Sequence, residues 1–369
     1  MSPAGIAFAL LLNQGTLSAA FPDDSEDIRI LVAQGPGSLP LRGTGLQRSL
    51  GQGWAQIDKN ETKASCHGDQ VALSGGDPSD GAVTLRAIGP LTVAGRALRG
   101  QVELACSDGR WTAINVLPLE EYLEAVLGGE MPPSFPEEAL KAQAVAARSY
   151  ALHRKIEATQ QGQEYHLGAT VLSQVYGGIA SEDDRTRRAV TATRGEVLAY
   201  GMLPVEAYFH SNCGGRTESG EAALGRDLPY LKSVPCPALR RTPYSHWSVR
   251  VPPEELQRLA PQLVHGEPTG LRVASRTASG RARTLELTSR SGTRTVTAVQ
   301  LRAALGYVRL PSLWFDVREE HGAFVFDGRG AGHGVGLCQW GARVLAEQGQ
   351  GYKDILTHYY PGAEIRRIY

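Results

Sequence analysis

Glu130 is the residue of this chain whose neighbours best suit proton transfer. It stands in Glu130-Met131-Pro132-Pro133, with Gly128-Gly129 before it and Phe135 shortly after. The prolines stiffen the backbone, and apolar neighbours strip water from a carboxyl, which raises its pKa toward the range of a general acid. The plainer alternative is a surface Glu beside a turn. Lys141 and Arg148 are seven residues apart and therefore share a helical face, which can look toward Glu130 or hold an anionic or sugar ligand. In an Ala-rich helix the same spacing also fits a solvated stripe, and Gln143 points to another side.

Two glycine-rich stretches add further polar groups. The turn His210-Ser211-Asn212-Cys213-Gly214-Gly215 gathers hydrogen-bonding side chains beside glycines that let a ligand approach the backbone. A nucleophilic Ser211 or Cys213 is disfavoured, because neither GxSxG nor a papain-like Cys-Gly-Ser-Cys-Trp signature is present. The run from Gly328 to Gly336 lacks GxxxxGK[ST] and puts His333 where a dinucleotide fingerprint needs its third glycine. A carbohydrate-lining loop, with His333 and Gln339 as hydrogen-bonding groups, suits it as well as a tight structural turn.

The elements that must position these groups alternate in character. Residues 28–118 read as short strands broken by Gly, Asp and Pro, the last of them at residues 111–116. Apolar residues at Leu119, Tyr122, Leu123, Val126 and Leu127 then mark one buried helix face, which Gly128-Gly129 is expected to end. A second helix is predicted with Ser134 as N-cap and Pro136 in its first turn, running to about Gln160. Its many alanines predict a central, closely packed helix. Residues 196–200 and 205–210 read as a hairpin delivering His210 to a turn. Residues 271–298 alternate again, with Ser279-Gly280 and Ser291-Gly292 as turns, and helices follow at about 339–348 and 352–359. The fold class is α+β, and no long linker separates the modules.

The totals exclude some roles. With 38 Lys plus Arg against 38 Asp plus Glu there is no basic excess to act as a nucleic-acid footprint. The apolar run at residues 4–12 is too short to span a bilayer, so no integral membrane span is expected in the mature chain. That run resembles a signal peptide, with Ser18-Ala19-Ala20 as cleavage site, although no Lys or Arg precedes it. Residues 1–20 are therefore read as a leader, and the chain as exported. In an oxidising compartment Cys66, Cys106, Cys213 and Cys236 can make two disulfides, with buried thiols as the alternative and Cys338 left over. No CxxC or zinc-finger spacing occurs.

Four segments, in order, are similar to the stage II sporulation protein D (SpoIID/LytB) family. They are LPLEEYLEAVLGGEMPPSFPEEALKAQAVAARSYAL from Leu117, EAYFHSNCGGRTES from Glu206, LRAALGYVRLPSLWFDV from Leu301, and GRGAGHGVGLCQWGARVLAEQG from Gly328, which is followed by ILTHYYPG from Ile355. The resemblance implies a lytic transglycosylase acting on peptidoglycan glycan strands stripped of stem peptides, in the cell envelope, periplasmic or extracellular. The acid/base Glu of the family's EMP motif falls on Glu130, and the Lys, Gln and Arg of the following helix fall on Lys141, Gln143 and Arg148. Tyr208, His210, Ser211, His333 and Gln339 fall on positions that the resemblance makes cleft-lining. It divides the chain into a β-rich module at 26–117, a core with the EMP motif at 118–237, and a second β-rich region with the glycine loop and helices at 238–369.

Other relatives enhance a separate wall amidase, so a non-catalytic glycan-binding enhancer with an amidase partner is the alternative function. Some relatives bind zinc through paired His and Cys. Here Cys213 and Cys236 lack an evident histidine pair, so the expectation is no metal, no cofactor and a Cys213 to Cys236 disulfide. Cys338 stands where many relatives carry Ser, which speaks against a catalytic thiol.

Overall fold

The structure, a computed structural model, describes residues 27–49, 53–170, 173–237, 242–264 and 266–369. The expected leader at 1–20 lies outside the described residues. The fold is α+β, as the sequence predicts. Alternating inward Leu39 and Leu41, Thr62 and Ala64, and Val83 and Leu85 show why residues 27–118 form strands. They make two sheets. The seven-stranded one holds Arg110–Pro118, Gln101–Ser107 and Val83–Arg86 at its centre, with Asp27–Pro36 beside Arg110–Pro118, and the five-stranded one is built around Glu61–His67 and Leu39–Arg42. A Cys66–Cys106 disulfide ties Glu61–His67 of one sheet to Gln101–Ser107 of the other.

Eight α-helices lie among the described residues: α1 (Leu119–Glu130), α2 (Glu137–Gln160), α3 (Asp184–Ala192), α4 (Gly220–Leu224), α5 (Pro253–Leu259), α6 (Ala298–Leu305), α7 (Gln339–Glu347) and α8 (Tyr352–Tyr359). α2 is the centre of the molecule. Every residue from Ala142 to Leu152 is buried, and the helix packs against α1, α3, α7, α8 and strand Glu196–Tyr200. Its alanines allow that approach from several sides, as expected.

Two boundaries differ from the sequence reading. α1 does not stop at Gly128-Gly129 but continues through them to Glu130. α2 begins at Glu137, not after Ser134: Phe135 precedes a proline and is kept out of helical geometry, and Pro136 itself takes the N-cap position with ψ 145. The expected hairpin is also shorter. Glu196–Tyr200 pairs with Leu203–Pro204 on one side and with Glu364–Arg367 on the other, while Phe209–His210 pairs in parallel with Leu337–Cys338.

Two hydrophobic cores result. One joins the N-terminal sheets, α1, α2 and the C-terminal α7 and α8; the other lies within residues 247–326. The second contains the meander Pro268–Arg276, Ala282–Ser289 and Gly292–Thr297, with turns at the predicted Ser-Gly pairs. Thr297 and Gln300 close a capping box on α6.

Candidate functional site

Glu130 is the last residue of α1, and the two glycines before it explain its setting. A Cβ on Gly128 would lie 1.8 Å from the Ser181 carbonyl oxygen, and one on Gly129 2.8 Å from that of Val175. Without side chains there, the segment around 175–181 presses directly on the helix end. The Val175 amide then donates to Glu130 Oε1 at 2.5 Å. Burial pushes the Glu130 carboxyl above its ordinary value, and the Val175 bond only partly opposes it.

The carboxyl opens into a cleft of about 360 Å³. Its lining brings together six of the residues singled out by the sequence, namely Glu130, Tyr208, His210, Ser211, His333 and Gln339. No other carboxylate is among the lining residues described. The opposite wall is made where Phe209–His210 pairs with Leu337–Cys338, extended by mutual backbone bonds between Asn212 and Ala331 at 2.9 and 2.8 Å. At Gly332 φ is +106°, and a Cβ would meet that of His210 at 2.7 Å, so this position requires glycine.

Both cleft histidines are locked by the backbone. His333 Nε2 donates to the Phe209 carbonyl at 2.8 Å while its Nδ1 accepts from the Val335 amide at 3.1 Å. His210 Nδ1 donates to the Val335 carbonyl at 3.1 Å. Burial pushes the His333 imidazole down to about 4 and that of His210 well below the usual histidine range. Both are neutral at pH 7 and serve as wall, with no ring nitrogen of His333 left to activate Ser211. Tyr150 meets Tyr208 and Phe209 edge-on at 5.6 and 6.5 Å, and Tyr208 meets His333 at 5.7 Å. The Tyr208 hydroxyl, pushed up to about 12 by burial, donates to Glu206 Oε1 at 2.6 Å.

Three predicted site residues lie elsewhere. Lys141 pairs with Glu137 at 2.7 Å and Glu138 at 3.0 Å on its own helix and does not line the cleft. Arg148 has no exposed surface; it is ion-paired with Glu120 at 2.7 Å and donates to the Glu196 carbonyl at 3.0 Å. Gln143 is buried behind the wall, where its Oε1 accepts from Gln339 Nε2 at 3.4 Å. Conversely, the sequence reading missed Tyr150, Ser173, Val175, Phe209 and Gly332 as lining residues. Tyr150 carried a signal, a lone aromatic in a run of alanines; Ser173 and Val175 carried none.

The expected Cys213 to Cys236 disulfide is absent. Both residues and Cys338 are buried thiols, and each sulfur has another partner: Cys213 Sγ accepts from the Gly215 amide at 3.3 Å, and Cys236 Sγ lies 3.2 Å from the Tyr359 hydroxyl.

Fold and site together define a mixed α+β protein with one poorly hydrated carboxyl in an aromatic-walled cleft. The profile described as "Stage II sporulation protein" matches residues 107–200, which includes Glu130 and all of α2. A domain of unknown function matches residues 242–336, the stretch containing the second core. The chain is 34% identical over 267 residues to stage II sporulation protein D of Bacillus amyloliquefaciens, covering 69% of this chain and 75% of the relative. It is 31% identical over 327 residues to the protein of that name from Bacillus subtilis, covering 83% and 87%. An amidase enhancer of Bacillus subtilis is 30% identical over 290 residues, covering 66% of this chain and 40% of the relative. The chain belongs to the stage II sporulation protein D family.

Proposed function

We propose that this is an exported cell-wall protein that cleaves peptidoglycan glycan strands as a lytic transglycosylase, with Glu130 as the acid/base. The observation that carries the reading is a cleft carboxyl whose pKa burial has raised, with no second carboxylate among the described lining residues. Ordinary glycosidases need two carboxylates, one as acid and one as nucleophile or base. One suffices when the substrate supplies its own nucleophile.

In this scheme the Val175 amide holds Oε1, and Oε2 carries the proton to the bridging oxygen between MurNAc and GlcNAc. That bond breaks through an oxocarbenium-like state, and the resulting carboxylate takes the proton from the MurNAc C6 hydroxyl as O6 closes on C1. The product is a 1,6-anhydro ring, with no water consumed. An intramolecular nucleophile gains from proximity what an activated water would otherwise provide. Tyr150, Tyr208 and Phe209 supply faces and edges for sugar rings. Export is supported by the Cys66–Cys106 disulfide, since such bonds persist in oxidising compartments. Among the described residues no helix is long and apolar enough to cross a membrane.

A second reading, a glycan-binding enhancer of a wall amidase, is favoured by the similarity to the amidase enhancer. Two substrates separate these readings. Purified protein is incubated with peptide-free glycan strands beside Glu130→Gln, and the ends are read by mass spectrometry. Anhydro ends from the wild type and none from the variant are expected. Equal product from both refutes the role of Glu130, and reducing ends mean hydrolysis. No product from the wild type on these strands, with faster release of stem peptides from intact peptidoglycan by an added amidase, establishes the enhancer.

A further inference from the structure

Directly behind the cleft wall, three thiols and an imidazole converge. One potential ligand atom from each of His210, Cys213 and Cys338 lies within 4.8 Å of the other two. Cys236 Sγ lies within hydrogen-bond reach of both thiols. We propose that His210, Cys213, Cys236 and Cys338 form a closed tetrahedral site for a thiophilic divalent ion of the zinc class. It departs from the sequence expectation of no metal, which rested on the lack of an evident histidine pair beside Cys213 and Cys236.

Four observations support it. His210 Nδ1 donates its proton to the Val335 carbonyl, which leaves the lone pair on Nε2, and that atom is buried with no partner. An imidazole anchored through one nitrogen so that the other can ligate is the usual arrangement around a metal. Secondly, backbone amides are aimed at the sulfurs: Cys213 N and Gly341 N donate to Cys338 Sγ at 3.2 and 3.3 Å, and Gly215 N to Cys213 Sγ at 3.3 Å. These amides stand where the sulfurs of a bound ion would accept hydrogen bonds, and Cys338 caps the start of α7. Thirdly, Arg281 is buried beside the cluster, with Nη2 donating to the Cys213 carbonyl at 2.8 Å. Three thiolates around a divalent ion carry one net negative charge, and this guanidinium offsets it. Lastly, the backbone is shaped around the sulfur, since a Cβ on Gly341 would lie 2.5 Å from Cys236 Sγ.

Tetrahedral zinc, with bonds of about 2.3 Å to sulfur and about 2.0 Å to nitrogen, places its ligand atoms about 3.5–3.8 Å apart. Among the described residues His210, Cys213 and Cys338 meet within 4.8 Å, so loading requires Cys236 Sγ to turn inward onto the ion. Loading is balanced without an oxidant: one divalent ion enters and three thiol protons leave. Four protein ligands leave no open position, so the ion is a brace. It pins Phe209–His210 to Leu337–Cys338, and thereby holds Ser211 and Gln339 at the cleft. The proposal does not depend on the cleavage chemistry.

The test uses the full chain, purified from an oxidising compartment without chelator, with metal content measured by mass spectrometry. About one zinc per chain is expected, falling to about a tenth or less in C213S and C338S. C66S/C106S, which removes the distant disulfide, retains the metal. Because the Cys variants can lose the fold, the wild-type protein is also stripped and titrated with cobalt. Tetrahedral d–d absorption with a sulfur-to-cobalt charge-transfer band at one equivalent supports the site. A folded wild type that takes up neither ion while all three thiols remain alkylatable overturns it, and so does peptide mapping that finds a disulfide among Cys213, Cys236 and Cys338.

Discussion

Replacing Arg148 by Met separates a cleft residue from a structural one. The guanidinium donates from Nε and Nη2 to the two Glu120 oxygens at 2.7 and 2.8 Å. It also reaches the carbonyls of Glu196 at 3.0 Å and Val190 at 3.3 Å, so one side chain links α1, α2, α3 and strand Glu196–Tyr200. Burial alone would raise the Glu120 carboxyl, but the Arg148 bonds and charge outweigh it and hold it below its ordinary value. Arg148→Met leaves that carboxylate with little exposure and only the Tyr369 hydroxyl and a backbone bond from Gly195. Removing one partner of a buried pair costs about 3–5 kcal/mol. At about 2–4 °C per kcal/mol, Tm falls by roughly 6–20 °C. Adding Glu120→Gln removes the stranded charge and recovers a large part of the loss.

The pH dependence has a definite sign. A carboxyl whose folded pKa is lowered contributes stability that is present above its unfolded value and lost as pH falls through the folded one. The gap between wild type and Arg148→Met therefore narrows on acidification. Thermal unfolding of the four proteins of this double-mutant cycle, beside pulldown on peptide-free glycan, tests the reasoning. An Arg148→Met protein with unchanged Tm and lost glycan binding refutes it and returns Arg148 to the cleft.

Further outcomes follow from the same geometry. Gly128→Ala drives a methyl against the Ser181 carbonyl and displaces the segment that holds Glu130, so stability falls by about 1–3 kcal/mol in denaturant titration, with loss of glycan cleavage in the folded fraction. The raised Glu130 pKa means that cleavage, which needs the protonated acid, declines as pH rises through that value, and a pH–rate profile reads this directly. The same shift disfavours the folded state at pH values above the carboxyl's unfolded pKa. Glu130→Gln is thus expected to be more stable than wild type at neutral pH, with the difference vanishing in acid; an equal Tm at pH 7 contradicts the burial argument. Opening the Cys66–Cys106 bridge, which spans 40 residues, costs about 4 kcal/mol by chain entropy, read as a drop in Tm for C66S/C106S.

The poorly hydrated setting of Glu130 was legible because part of its cause is local, namely apolar and proline neighbours, whereas the two glycines were read as a helix end and instead admit another segment onto it. The role of Arg148 was not. Helical spacing says which residues share a face, yet α2 is buried nearly all round, so its faces differ in what they meet and not in whether they meet water. Lys141 and Arg148 share a face in sequence but end in different environments, one at a solvent-side ion pair and the other in the core. The Val175 amide illustrates a further limit. It acts on a carboxyl 45 residues away, and nothing in residues 173–175 announces it. Cysteine pairing was equally open, since counting leaves several partners and only strand neighbourhood selects Cys66 with Cys106.

The glycine-rich segments are instructive because, in sequence, glycine density fits a ligand-lining loop and a tight structural turn equally well. The room left by the missing side chains is taken by the chain itself. At Gly332 the missing side chain accommodates His210, and at Gly336 a Cβ would lie 2.0 Å from the Tyr208 carbonyl oxygen. These close approaches let the 208–213 segment and the 330–338 loop fix one another through backbone bonds and bury both histidines, and it is the burial that keeps the imidazoles neutral. The cleft thus combines one carboxyl able to gain and lose a proton with a wall that cannot. Such a division suits a reaction in which one group must act first as acid and then as base, because no neighbour competes for the proton between the two steps.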